Sequence, residues 1–133
     1  MDTEAAVRAW IEGWSQSWPA ADPDGVARLY SADAAFRSLP FRDPHIGRDG
    51  AREYAAWSFE TQESAECWFG EPIIDRDRAA VEYWAVLKET GDKVTTIVGT
   101  SMLRFDSEGL CCEQRDTWVT EEGRHEPYEG WGK

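Results

Sequence analysis

Glu82 and Asp116 are the two residues of this chain best spaced to handle a proton together, because each falls on a strand of one antiparallel stretch. Arg78 to Val119 reads as three consecutive strands, with turns at Glu89-Thr90-Gly91-Asp92-Lys93 and Asp106-Ser107-Glu108-Gly109, residue types that tolerate tight reversals. A two-residue Gly91-Asp92 loop sets Thr90 opposite Lys93, and counting outward pairs Val86 with Ile97, Trp84 with Gly99 and Glu82 with Ser101. The second turn pairs Phe105 with Leu110, Leu103 with Cys112, Ser101 with Gln114 and Gly99 with Asp116. Strand side chains alternate, so Glu82, Trp84, Gly99, Gln114, Asp116 and Trp118 share one face with Ile97, Leu103 and Phe105. The two acidic alpha carbons then lie roughly 12 Å apart and their carboxyls converge on one cavity, with Gly99 leaving room between them. A carboxyl flanked by Trp84 and Trp118 is poorly solvated when charged. Its proton affinity rises towards the range useful for general acid or base work. The alternative places both acids at the rim of the sheet, paired with Arg104, Arg115 or water.

Other reactive side chains are few. His45 sits in a Pro- and Gly-interrupted connector, Leu39 to Gly50, together with Arg42 and Asp43, and can reach a cavity mouth as an acid or a ligand-orienting group. Simple exposure is its ordinary alternative, and more so for His125 in the acidic tail. Two histidines without paired spacing, and Cys67, Cys111 and Cys112 without ligand spacing, predict no metal site; neighbouring Cys111 and Cys112 point to opposite faces of a strand. The cysteines read as small buried hydrophobes. Neither a phosphate-binding glycine loop nor a nucleophile elbow occurs, so the expected chemistry uses no cofactor.

The elements that must position these groups follow from periodicity. Val7, Trp10, Ile11, Trp14 and Trp18 recur at helical spacing and predict a first helix over about Asp2 to Ser17, started near Thr3 and bounded by Pro19. Asp22-Pro23 starts a shorter helix with Val26, Leu29 and Tyr30 on its buried face, ended by Ser31 to Asp33. Ala34 to Ser38 alternates as a short strand. A third helix is expected from about Gly50 to Gln62, burying Ala51, Tyr54, Ala55 and Ser58 with Trp57 at its flank. Ala65 to Asp75, interrupted by Gly70 and Pro72, reads as a bulged or edge strand pairing with the one that starts near Arg78, through a turn at Asp75 to Arg78.

Length and charge bound the rest. A chain of 133 residues suits one domain, 1–133, with a core over about 3–120 and a tail at 121–133 whose Tyr128 and Trp131 either dock or fray. The net charge of -12 repels phosphate backbones and anionic headgroups, which argues against nucleic-acid and membrane partners. No run reaches the roughly 18 to 20 apolar residues of a membrane span, and Met-Asp-Thr-Glu lacks the shape of a signal peptide, so the expected location is cytoplasmic. Eight tryptophans leave three uses open: a heavy core, an aromatic cavity or a subunit interface.

The order helix, helix, short strand, looped connector, helix and antiparallel sheet resembles the nuclear transport factor 2-like superfamily, and within it the SnoaL-like group. Leu29-Tyr30-Ser31-Ala32-Asp33-Ala34-Ala35-Phe36 resembles that superfamily's passage from helix into first strand. Leu103 to Gly109 followed by Gln114-Arg115-Asp116-Thr117-Trp118 resembles its closing hairpin. The resemblance, covering Ala6 to about Val119, implies an α+β cone: three helices from the N-terminal half packed on a curved, mainly antiparallel sheet. Members include polyketide cyclases, ketosteroid isomerases, limonene epoxide hydrolases, scytalone dehydratases and non-catalytic binding domains, so the site must decide.

Ketosteroid isomerase chemistry does not carry over. Ungapped comparison puts Trp14 where that family has its oxyanion-hole tyrosine and Ser38 where it has its carboxylate base. The closing strand resembles the one on which epoxide hydrolases and SnoaL-type cyclases place a catalytic aspartate, which again selects Asp116. The epoxide hydrolase's arginine and second acid fall near Glu82 and Trp84, so its triad is not reproduced.

These observations predict a pocket for an apolar, ring-containing small molecule. Trp14, Trp18, Tyr54, Trp57, Trp84 and Trp118 supply walls, Ser38 and Gln114 supply polar contacts, and Asp116 handles a proton with Glu82 and His45 as further candidates. The rival readings are a binding module without turnover and a homodimeric scaffold. A homodimer is expected through the outer sheet face, assigned to Val81, Tyr83, Ala85, Leu87, Thr96, Val98, Thr100 and Met102.

Overall fold

The computed structural model describes residues Met1–Lys133. Helix α1 spans Thr3–Ala20 and is capped by Asp2, whose carboxylate accepts the amides of Glu4 and Ala5. Asp2, not Thr3, is the cap. Pro19 lies inside the last turn rather than beyond it, and the helix closes on Ala21 in the left-handed region. Ala6, Val7, Trp10, Trp14 and Ser17 form its buried face. Burying an indole stabilises by about 4–6 kcal/mol as an upper bound, so this one stripe anchors the helix to the sheet.

Helix α2, Pro23–Ala27, starts at the Asp22 cap but is a single turn. Leu29 and Tyr30 do not extend it: Tyr30–Arg37 is strand β1, longer than the short strand expected from Ala34. The Leu39 to Gly50 connector is less irregular than its prolines imply, since His45–Ile46 forms β2 against β1 and Gly47–Phe59 forms α3. Gly47 holds φ at +71° with its alpha carbon against the Ala32 carbonyl; an added Cβ would stand 2.6 Å from that oxygen, so α3 begins where only glycine fits.

The remaining strands are β3 (Gln62–Phe69), β4 (Ile73–Asp75), β5 (Arg78–Glu89), β6 (Lys93–Phe105) and β7 (Cys111–Glu122). The sheet order is β2-β1-β7-β6-β5-β3, with β4 paired to the end of β5; β1 runs parallel to β7 and every other pair is antiparallel. Three helices from the N-terminal half thus cover one face of a curved, open sheet. Both the bulged edge at β3–β4 and the Asp75 to Arg78 turn lie where the sequence puts them.

The β5–β6 register differs from expectation by one residue, with large consequences. The loop holds three residues, Thr90 to Asp92, so Glu89 pairs with Lys93, Tyr83 with Gly99 and Val81 with Ser101. One extra loop residue reverses which face each β5 side chain takes. Ala79, Val81, Tyr83, Ala85 and Leu87 turn towards the helices, while Glu82 and Trp84 turn to the opposite face. This register leaves the Glu82 carboxylate exposed to water, avoiding the cost of burying an unpaired charge.

Strand β7 keeps its facing but slides by two residues. A bulge near Cys112 sets Phe105 against Cys111, Leu103 against Gln114, Ser101 against Asp116 and Gly99 against Trp118. Gln114, Asp116 and Trp118 still point inward. Cys111 is fully buried, whereas Cys67 and Cys112 are only partly so.

The tail neither frays nor covers a cavity mouth. It folds over the outer face of β5, where Trp84 donates to the His125 carbonyl at 2.7 Å and packs edge-on against Tyr128 and Trp131. The Glu71 amide bonds the Gly132 carbonyl at 2.7 Å, locking the tail's end to the β3–β4 link.

Candidate functional site

Between the helices and the inner sheet face lies a cavity of about 580 Å³. One wall is a run of tilted to edge-on aromatic contacts in which Phe69, Trp10, Trp14, Trp18 and Tyr83 touch in succession, with ring centres 5.9 to 6.3 Å apart. Gly99 makes this wall possible. A Cβ there would stand 2.8 Å from the Tyr83 ring and 2.6 Å from both the Thr117 carbonyl and the Trp118 Cβ.

Asp116 lies in the floor, 8% exposed. Its Oδ1 accepts the Ser101 hydroxyl at 2.6 Å and the Gln114 amide at 3.0 Å, while Oδ2 receives only the longer bond from Gln114 at 3.2 Å. Gln114 cannot be turned round. Its Oε1 accepts from both Trp10 Nε1, at 3.3 Å, and the Tyr30 hydroxyl, so its NH2 must aim at Asp116. Tyr30 in turn accepts from Trp14 Nε1 at 3.1 Å, giving a one-way chain of donors from Trp14 through Tyr30 and Gln114 to the carboxylate. Trp14 therefore reaches Asp116 through two intermediaries.

Burial pushes the Asp116 carboxyl up to about 7 from 3.8, against the pull of the Ser101 and Gln114 hydrogen bonds, which favour the charged form. Tyr54, also on the cavity wall, is pushed up to about 12, first by burial and then by the Asp116 charge, with Arg42 and Ser38 offsetting part of the rise. Tyr83 is raised strongly by burial and then by Asp116 and Tyr54. Asp116 thus carries a carboxyl shifted towards neutrality in the cavity floor, with two phenols that stay protonated sharing its field.

A second cluster stands on the β1–α3 connector. Ser38, fully buried, has its hydroxyl 3.0 Å from His45 Nε2 and receives Arg42 at 3.1 Å, while its carbonyl accepts Trp118 Nε1 at 2.7 Å. The His45 ring stacks on Tyr54, centres 4.6 Å apart, and its basicity is lowered by burial and then by Arg42. His45 therefore backs the wall and does not line the cavity. Ser38 also acts from behind, holding Trp118 and Arg42 in place.

The structure gathers Asp116, Trp14, Trp18, Tyr54, Trp57, Gln114 and Trp118 around the cavity. It does not bring Glu82 or Trp84 there; both face away because of the three-residue β5–β6 loop. Besides Trp10 and Phe69 of the wall, four contributors escaped the sequence reading: Tyr83, hidden by that loop, and Tyr30, Ser101 and Arg42. A strand beginning at Tyr30 rather than Ala34 was the readable signal for the first of these three. No three His, Cys, Asp or Glu side chains group in a way that could hold a metal ion.

Residues 7–114 match the SnoaL-like domain profile, four-fifths of the chain ending just short of Asp116. The chain belongs to the SnoaL-like family. No curated protein matches it in sequence. Among solved structures, this SnoaL-like chain superposes on a type 2 hexachlorocyclohexane dehydrochlorinase (LinA) with TM-score 0.78, at 11% identity over 96% of this chain and 95% of that one. The epoxide hydrolase/cyclase-like enzyme SalBIII of salinomycin pyran-ring formation gives TM-score 0.75, at 17% identity over 89% and 93%. An epoxide hydrolase from M. tuberculosis gives 0.70, at 16% identity over 87% and 84%. At these identities the SnoaL-like fold is what is shared, and no reaction follows from it.

Proposed function

We propose that this protein binds an apolar, ring-containing small molecule and that Asp116 transfers a proton on it without a cofactor. One observation carries the reading: a carboxyl held near pH 7 in the floor of an aromatic cavity, with Oδ2 less engaged than Oδ1. Such a group takes a proton from carbon or returns one to a leaving oxygen, the step common to isomerisation, ring closure, dehydration and epoxide opening. The aromatic wall supplies binding through apolar burial, and the donor chain from Trp14 fixes the base in one orientation.

The rival reading is ligand binding without turnover. It draws support from Glu82, which faces solvent and leaves Asp116 without the second strand carboxylate. Asp116→Asn separates the two: an enzyme loses turnover and keeps ligand affinity, whereas a binder scarcely changes.

A homodimer through the outer sheet face is part of the proposal, with altered membership. Val81, Tyr83, Ala85 and Leu87 face inward, so the apolar surface left on the outer face centres on exposed Val119 with half-buried Val98 and Met102, beside the docked tail. Sedimentation as a monomer at micromolar concentration would refute it. A cytoplasmic location rests on sequence alone; in the structure, no helix is long and apolar enough to cross a membrane.

A further inference from the structure

Arg42 is the unabsorbed group of the cavity. Its guanidinium carbon lies 5.6 Å from the ring centre of Trp57 and 5.6 Å from that of Trp118, so two indoles hold it at the wall. Its side chain donates to the Ser38 hydroxyl and engages that of Tyr54, and no carboxylate lies within ion-pair distance, although the chain carries 26 acidic residues. The other charged residues lining the cavity besides Asp116 are Glu60, Glu89 and Lys93, and none pairs with it. Aromatic faces and two neutral hydroxyls leave a guanidinium without a counter-charge, and its planar fork of five donors matches a carboxylate. Tyr54 stands in the field of both Arg42 and Asp116, so polar groups run from Arg42 past Tyr54 to the floor.

Building on the small-molecule reading above, we infer that the ligand carries a carboxylate, that Arg42 binds this group through charge-assisted hydrogen bonds, and that the ring body then lies along the aromatic wall towards Asp116. Arg42 acts here as a specificity residue. The overall charge of -12 makes the inference a demanding one, since an anion is attracted to this chain only where a cation is aimed at it.

The test compares 2-naphthoate with its neutral isostere 2-naphthamide, by quenching of tryptophan fluorescence at about pH 6, where Asp116 is mostly protonated and does not repel the anion. Native protein is expected to bind the carboxylate roughly tenfold or more tightly than the amide, the equivalent of one charge-assisted bond. Arg42→Met should abolish that preference by weakening the carboxylate far more than the amide, which still binds; Arg42→Lys should keep part of the preference. Equal binding of both probes by native protein, or equal loss of both in Arg42→Met, overturns the assignment of Arg42 while leaving the cavity reading standing. Failure of both probes to bind native protein overturns both.

Discussion

The Gln114 amide donates to both oxygens of the Asp116 carboxylate, at 3.0 and 3.2 Å, and its own carbonyl is held by Trp10 and Tyr30. The cavity's carboxylate is therefore aimed by side chains from α1, β1 and β7 at once. Its donors favour the carboxylate and its burial favours the acid; burial wins, which leaves the group titrating near neutrality.

That balance makes stability depend on pH with a definite sign. The folded carboxyl is raised from 3.8 to about 7, so between those values the native state holds a proton that the unfolded chain has released. Stability contributed by Asp116 is full below about pH 4 and lost as pH rises to about 7, on the order of 4 kcal/mol in all. Asp116→Asn removes this loss and still accepts from Ser101 and Gln114. Urea unfolding should find the variant more stable than native protein at about pH 8 and nearly equal at about pH 4; a difference independent of pH would contradict it.

Ser101→Ala deletes a donor that favours the charged form. The Asp116 carboxyl should then titrate higher than in native protein, and a carboxyl NMR titration reads the shift. A downward shift would mean that the hydroxyl serves the protonated acid instead.

Tyr30→Phe removes one oxygen from the middle of the donor chain. Trp14 Nε1 loses its acceptor and Gln114 one of its two donors, so a loss of about 1–3 kcal/mol is expected in denaturant titration. Native stability would show that the chain contributes nothing to the fold.

Gly99→Ala tests the close approach that shapes the wall. The new methyl would meet the Thr117 carbonyl and Trp118 Cβ at 2.6 Å and the Tyr83 ring at 2.8 Å, two of which are backbone or backbone-proximal and cannot swing away. A loss of about 1–3 kcal/mol and weaker ligand binding are expected, read by unfolding and fluorescence.

Much of this architecture is legible in the residues. The Trp10, Trp14 and Trp18 stripe, the Asp22-Pro23 start and the inward facing of Gln114, Asp116 and Trp118 all follow from local periodicity and capping. Register across a turn does not. Gly91-Asp92 is equally compatible with two- and three-residue loops, and the choice falls to tertiary packing: Trp84 finds cover under Tyr128 and Trp131, Tyr83 finds space over Gly99, and Glu82 finds water. Asp116 survived a two-residue slide because an even shift preserves facing, while Glu82 did not survive a shift of one. Arg42 and Ser38 lie only four residues apart, and what was illegible is what holds them: Trp57 from α3 and Trp118 from β7 meet the connector through contacts between distant segments that no local pattern encodes.

The most direct measurement is the ionisation of Asp116 itself, followed by carbon NMR of the side-chain carboxyl, with Asp116→Asn assigning the resonance. A midpoint near pH 7 is the predicted result. A midpoint near 4, that of a freely solvated aspartate, would contradict a proton-transfer role for this cavity.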